Sequence, residues 1–366
     1  MIYACNTVRA VAAIALAMLL PGLASAQQPF AIGSITAAPG TTASGTLTIP
    51  ARDGDTGTTL PISIVHGSQE GVVLALTAGV HGQEYAPIIA LQRLLRTLDP
   101  KMIRGTVIMV HVANMPSYLA RTIYYSPVDG KNLNRVFPGN PQGTLSERIA
   151  HTITREVIDR ADVVIDLHCG DGNESLRPYT YLIQGSGSAI VQIQTQNLAL
   201  DFGLDHIVID RDRPTDPNAS VYLSNTAITR GKPALTIESG GLARTDEESV
   251  AAIERGVLRV LMNRGMDLVV RSDGPPRVTH PVWIVRSEVV RSAGTGIFYP
   301  AVERGHTVAQ GTLIGRVTDF HGKVIEEVRS PFAGEILYVI GTPAISKGEP
   351  LAYVGSTTSG SSAAKH

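Results

Sequence analysis

Continuous apolar runs alternate with helical apolar spacing through the middle of the chain. Val72 to Ala78 (VVLALTA) is a nearly unbroken apolar run bounded by glycine. Ala86 to Leu98 then places its apolar residues at helical intervals and Thr106 to Val112 is again continuous, so the pattern predicts a strand, helix, strand unit. The pattern recurs. Leu145 to Arg160 is predicted as a helix opened by a capping box from Thr144 to Glu147, running into a buried strand over Asp162 to Leu167. A helix over Ala189 to Leu200, a strand over His206 to Ile209, a helix over Ser220 to Thr229, a strand over Ala234 to Ile237 and a helix over Glu247 to Met262 complete the series. Strands buried on both faces with helices between them define an α/β class, a mainly parallel mixed sheet with helices on both faces.

The two ends read differently. Upstream, alternation over Gly45 to Pro50 and Leu60 to Val65 suits short antiparallel strands. Beyond Ser272-Asp273-Gly274-Pro275-Pro276 the helical period disappears, and short runs (Val282 to Val285, Gly296 to Tyr299, Thr312 to Val317, Glu335 to Val339) are separated by glycines, which predicts a small all-β module. Its segments GHTVAQGTLIGRV (305 to 317) and SPFAGEIL with GTPAISKGEPLAYVG (330 to 355) resemble the two halves of a biotinyl/lipoyl-type barrel-sandwich hybrid. A carrier domain of that type presents a Met-Lys or Asp-Lys hairpin. Here the corresponding turn is Asp319-Phe320-His321-Gly322 with Lys323 after it, so a structural or gating role is expected instead.

The first 26 residues change the count. Arg9, the apolar run Val11 to Leu20, the break at Pro21-Gly22 and the small residues Ala24-Ser25-Ala26 form an expected secretory signal, too short to span a bilayer, which needs about 20 apolar residues. The expected organisation is a signal at 1–26, a catalytic α/β region with N-terminal strands at 27–274, a barrel-sandwich hybrid at 275–356 and a polar tail at 357–366, in a periplasmic or secreted protein with no membrane span after cleavage. The whole chain of 366 residues carries 31 basic and 32 acidic residues; losing Arg9 leaves 30 against 32. Neither balance supplies the positive field that nucleic acid requires. Cys5 would leave with the signal, so Cys169 has no intramolecular disulfide partner and is expected as a buried thiol.

Candidate chemistry lies in four segments at strand ends. Gly79-Val80-His81-Gly82-Gln83-Glu84 follows the first buried strand, and a His and a Glu three apart in such a turn can converge on one ion. Asp166-Leu167-His168-Cys169-Gly170 sets a second His at the carboxyl end of a strand, the edge where open α/β sheets build their sites. His81, Glu84 and His168 together make a three-ligand set of the kind catalytic zinc uses. Asp166 either holds an imidazole from behind or is an ordinary solvated carboxylate. In Lys131 to Gly139 (KNLNRVFPG), Arg135 with the Asn134 amide can clamp a carboxylate, or Arg135 forms a surface ion pair. Glu238, in Thr236-Ile237-Glu238-Ser239-Gly240-Gly241, ends another apolar strand and can move a proton for water activated by the ion.

GVHGQE, NLNRVFPG, DLHCG and the late ESGG, in this order and followed by a barrel-sandwich tail, resemble the succinylglutamate desuccinylase/aspartoacylase family, deacylases related to zinc carboxypeptidases. The resemblance implies one zinc ion held by His81, Glu84 and His168, with Glu238 as the catalytic carboxylate. It implies that Asn134 and Arg135 hold the substrate carboxylate and that Arg121, in YLARTIYY, polarises the scissile carbonyl. The implied reaction is hydrolysis of an N-acyl amino acid or a similar small carboxylate-bearing amide. An exported zinc carboxypeptidase or amidase acting on peptides such as cell-wall peptides is the alternative, and a non-catalytic binding protein a third reading. A homo-oligomer is compatible with any of them.

Overall fold

The computed structural model describes Met1 and residues 27–268 and 277–358. Residues 2–26 of the expected signal, the junction Ser272 to Pro276 and most of the polar tail lie outside the described residues. Upstream are β1 (Phe30–Ile32), β2 (Ile35–Ala37), β3 (Thr41–Ile49) and β4 (Thr58–His66). The α/β series follows as β5 (Gln69–Ala78), α1 (Tyr85–Thr97), β6 (Arg104–Val110), α2 (Met115–Ala120), α3 (Leu145–Ile153), β7 (Val163–His168), β8 (Glu174–Leu176), β9 (Tyr179–Ile183), α4 (Ala189–Phe202), β10 (His206–Asp210), α5 (Leu223–Thr229), β11 (Ala234–Glu238) and α6 (Glu247–Asn263). Beyond residue 276 the described elements are all strands: β12 (Val282–Arg291), β13 (Gly296–Pro300), β14 (Thr307–Val308), β15 (Leu313–Thr318), β16 (Val324–Arg329), β17 (Gly334–Ile340), β18 (Ala344–Ile345) and β19 (Pro350–Thr358).

One 13-stranded sheet runs in the order β14-β17-β19-β12-β10-β9-β11-β7-β5-β6-β4-β3, with β8 paired to β17. The expectation of a mainly parallel sheet is corrected: five of its twelve pairings are parallel, and they lie at its centre (β5 with β6 and β7, β7 with β11, β10 with β9 and β12). Parallel neighbours need a crossover, which helices supply only in the middle of the chain, whereas strands joined by short turns at both ends fold back antiparallel. Helices do cover both faces. Leu74, Leu76 and Ala78 of β5 pack with α1, α4 and α6, while Ala75 faces the cluster of α3 and α5, as a period of two dictates.

The helix expected to run to Arg160 leaves α geometry at Ile153, and Thr154 to Ile158 form a π-helical turn. Its start is as the pattern indicates, with the Thr144 backbone N–H donating to Glu147 Oε2 at 2.8 Å. β9 carries Tyr-Thr-Tyr in place of an apolar run, which is why periodicity does not reveal this central strand. The downstream strands form two sheets, β12, β14, β17 and β19 extending the large one and β16-β15-β13-β18 forming a second. Between them lies a core of Phe298, Ile314, Val317, Ile336, Leu351 and Val354 that also takes in Leu176, Tyr179 and Val208 from the α/β region. The large sheet is therefore continuous from the α/β region into the downstream strands, through β10 and β12, with His206 in register with Val282.

Candidate active site

Strand register brings the site together. In the parallel centre, Ala78 of β5 is level with Leu167 of β7, and His168 of β7 with Glu238 of β11, so three strands end at one edge. His168 and Glu238, in register on neighbouring strands, point to the same face, as Asp166 and Thr236 do, while Leu167, Ile237 and Cys169 turn into the helix-covered core. The Cys169 thiol is thus buried away from His168, as strand alternation predicts. After β5 the chain turns at Gly79, whose φ of +67° favours glycine, and a Cβ at Gly82 would come within 2.3 Å of the Ser117 carbonyl oxygen. That close approach, with Asn114 Nδ2 donating to the Val80 carbonyl at 3.2 Å, fixes the loop carrying His81 and leads to Glu84 at the N-cap of α1.

His81 Nδ1 lies 2.8 Å from Glu84 Oε1, and His168 Nδ1 lies 3.1 Å and 2.9 Å from the two Glu84 oxygens. Behind them, His81 Nε2 donates to Asn132 Oδ1 at 3.2 Å and His168 Nε2 to Asp166 Oδ2 at 2.9 Å. Each imidazole thus commits its outer N–H to a fixed acceptor and turns Nδ1 inward, the tautomer that ligates a metal. Two imidazole nitrogens and one carboxylate facing one another at these distances require shared positive charge, from protons on the rings or from a metal ion in their place. One ligand atom from each of the three residues lies within 4.8 Å of the other two. Burial works against charge on Glu84, yet the two imidazoles outweigh it and hold the carboxyl down to about 2. For Glu238 the balance is opposite: burial, with Glu84, Glu174 and Asp171 nearby, pushes its carboxyl well above the usual range despite His168.

A cavity of about 420 Å³ opens on this cluster and is lined by His81, Glu84, His168, Glu238, Asn134 and Arg135. Asp166 is no solvated carboxylate; it is fully buried against His168. The Asn134 amide is already engaged: its Oδ1 accepts the Leu223 backbone N–H at 2.8 Å and its Nδ2 donates to Asp166 Oδ2 at 3.4 Å. Arg135 is exposed, tied by Nη1 to the Asn134 carbonyl at 2.7 Å, with its guanidinium 4.6 Å from the Tyr222 ring centroid. Arg121 departs from the expectation. It is an exposed residue in the left-handed conformation at the end of α2, outside the cavity lining, and only its carbonyl engages the loop, accepting from Gln83 Nε2 at 2.8 Å.

Sequence reasoning missed several groups in this cavity. Asn132 sits two residues before Asn134 in the recognised loop, so its place was available to be read. Tyr124 lies in the YLARTIYY segment already singled out, whereas Asp171, Glu174, Tyr181, Arg213 and Tyr222 have no such signal, because loops, the start of β8 and the unrecognised strand β9 deliver them. Arg213 stacks 3.5 Å from the Tyr222 centroid, so two guanidiniums share one aromatic ring. Val289, Arg291, Tyr338 and Pro350, from the downstream strands, complete the wall.

Residues 70–264 match the succinylglutamate desuccinylase/aspartoacylase catalytic domain. N-alpha-acetyl-L-2,4-diaminobutyric acid deacetylase from Halomonas elongata is 34% identical over 270 residues, 71% of this chain and 74% of the relative. Among solved structures, the product-bound ectoine utilization protein EutE (DoeB) from Ruegeria pomeroyi aligns with a TM-score of 0.76 at 28% identity, covering 86% of this chain and 95% of the other. A succinylglutamate desuccinylase/aspartoacylase from Rhodobacter sphaeroides aligns with a TM-score of 0.74 at 26% identity, covering 87% and 96%. The domain match spans more than half of the chain and takes in His81, Glu84, His168 and Glu238, so this chain belongs to the succinylglutamate desuccinylase/aspartoacylase family.

Proposed function

We propose that this protein is a zinc-dependent amidohydrolase that removes the acyl group from N-acyl amino acids. The observation that carries the reading is the inward convergence of His81 Nδ1, His168 Nδ1 and the Glu84 carboxylate beside Glu238. Nitrogen and oxygen donors in a three-residue set suit zinc, which when bound would polarise the scissile carbonyl and acidify the attacking water. Glu238 takes the proton from that water on its carboxylate and returns it to the leaving nitrogen. Arg135, its guanidinium over the Tyr222 ring, presents its free N–H groups to the substrate carboxylate, with Arg213 adding positive charge beside the same ring. Asn134 serves this site by bridging Asp166 to the start of α5, which keeps the Tyr222 neighbourhood and His168 in step. A cavity of about 420 Å³, walled on one side by Tyr338 and Pro350, supports a small amide over a long peptide. The name of the Halomonas relative, a deacetylase of an N-acetyl amino acid, supports both the acyl group and the amine class.

The test is metal analysis with hydrolysis of N-acetyl amino acids by the mature chain. Glu238→Gln should retain one zinc per chain and lose about 10²–10⁴-fold in turnover, the usual weight of general acid–base catalysis. Metal retained with activity near that of the unaltered protein would sink the role of Glu238. We read residues 1–26 as an export signal, placing the protein in the periplasm or outside the cell. Mass spectrometry of the protein isolated from those fractions should find Gln27 as the first residue.

A further inference from the structure

The sheets end in several edges, and most of them are blunted. β14 and β18 are two residues long and β1, β2 and β8 three, while β16 carries Glu326, Glu327 and Arg329, with Arg329 Nη2 donating to Glu327 Oε2 at 2.7 Å. Short or charged edges discourage pairing with another chain. β3 is different. It ends the 13-stranded sheet beyond β4, is nine residues long, and among the described residues no strand pairs with its outer side. It contains no proline, and no charged residue occurs from Gln27 to Ala51. One face of the strand is already covered: Leu47 and Ile49 are buried in the core that takes in Ile32 and Ile35, and a Cβ at Gly45 would come within 2.8 Å of Ile35 Cγ1. The other face presents Thr42, Ser44, Thr46 and Thr48, all exposed. A long, uncharged edge with open backbone N–H and C=O groups is a template for one more strand.

We propose that β3 is a dimer interface, at which the β3 of a second copy of this chain pairs antiparallel about a two-fold axis at Gly45 and joins the two large sheets into one. Gly45 is the midpoint of Thr41–Ile49, so this register alone sets all nine residues of each strand opposite a residue of the other. Thr42 of one copy then faces Thr48 of the other, and Ser44 faces Thr46, each pair occurring twice, as an isologous interface requires. Facing Thr and Ser side chains add to the stability of a strand pair. The pairing of β3 with β4 already uses that contact, with Ser44 Oγ 2.8 Å from Ser63 Oγ in register. A second copy fits better than a foreign chain because the strand is its own complement: hydroxyl meets hydroxyl on one face, Ala43 meets Leu47 on the other, and no charge requires a counter-charge. β3 contributes no residue to the cavity lining, so the pairing is independent of the deacylase reading.

The test is light scattering on the full mature chain as it elutes from size-exclusion chromatography, beside two doubly substituted chains. Residues 42 and 48 lie roughly 20 Å apart along one strand, so charges placed there meet only across the interface. Thr42→Glu with Thr48→Lys sets two opposite-charge pairs face to face, and Thr42→Lys with Thr48→Lys sets two like-charge pairs at the same positions. The unaltered chain and the Glu/Lys chain should be dimers, and the dissociation constant of the Lys/Lys chain should exceed that of the Glu/Lys chain by about tenfold or more. A monomeric unaltered chain, or an assembly of any size that responds equally to both charge patterns, overturns the interface. If the Lys/Lys chain does not fold, hydrogen exchange of the unaltered chain decides, over the concentrations at which light scattering shows it dissociating. Protection of residues 41–49 should rise with concentration while that of residues 324–329 stays constant; unchanged protection of 41–49 overturns the pairing.

Discussion

Asp166 and Asn132 decide how the two imidazoles face. One is a buried carboxylate and the other a neutral amide, and each takes the Nε2 proton that would otherwise be free to move to Nδ1. Removing either acceptor lets the ring turn or change tautomer, so Asp166→Ala and Asn132→Ala should each weaken zinc binding about 10–100-fold, measured by competition with a chromophoric chelator. Asn134→Ala tests a different point. Because its amide bonds Asp166 and the Leu223 N–H, the loss should appear as lower zinc affinity and lower thermal stability, not only as a higher KM for the substrate carboxylate. At this scale the cluster of His81, Glu84 and His168 was legible, since these residues follow strand-like runs at short fixed spacings. The supporting groups were only half so. Asp166 was visible two residues from His168, but whether it was solvated depended on what packs over β7, and sequence spacing carries no information about that.

At the element scale the parallel centre supplies the site and the antiparallel wings enclose it. The junction between the two is β10 against β12, and beside it His206 Nε2 meets Glu335 Oε2 of β17 at 3.1 Å while His206 Nδ1 meets Asp205 Oδ1 at 3.0 Å. Burial lowers the His206 pKa, but the bonds to Asp205 and Glu335 outweigh it and the net direction is upward. A raised folded pKa means that the stabilisation is fully present below the unfolded value of about 6.5 and is lost as pH rises through the folded value. Glu335→Gln should therefore cost roughly 1–2 kcal/mol in urea unfolding at pH 6 and less at pH 9. Some cost remains at high pH because Arg177 Nε also pairs with Glu335 Oε1 at 2.8 Å. A cost independent of pH would remove His206 from the explanation. Most helices here were legible from their apolar period, including α1, α4 and α6. Strand β9 was not, because Tyr-Thr-Tyr places its ring faces and hydroxyls toward a cavity and another strand pack that only the fold creates.

For the whole molecule, β12, β14, β17 and β19 belong to the same sheet as the α/β region, and β12, β17 and β19 wall the same cavity. Ending the chain before residue 277 would uncover the outer edge of β10 together with the apolar side of Leu176, Tyr179 and Val208. An open, apolar sheet edge pairs with other chains, so such a truncation should elute as aggregate in size-exclusion chromatography; a soluble active monomer would refute the dependence. Tyr338→Ala, by contrast, should leave the fold in place and raise KM, since the ring forms cavity wall from β17. The sequence by itself determined the α/β class, the order of the main helices and buried strands, the segments that carry His81, Glu84, His168 and Glu238 to strand ends, and the glycine-spaced β character of the end, because each is written in local spacing. Strand direction at the wings, the merging of β12, β14, β17 and β19 into the large sheet, the burial of Asp166, the displacement of Arg121 from the site and the gathering of Asp171 and Glu174 into the same cavity were decided only by tertiary structure. Those depend on which distant segments meet, and periodicity along the chain records how a segment is buried without recording by what.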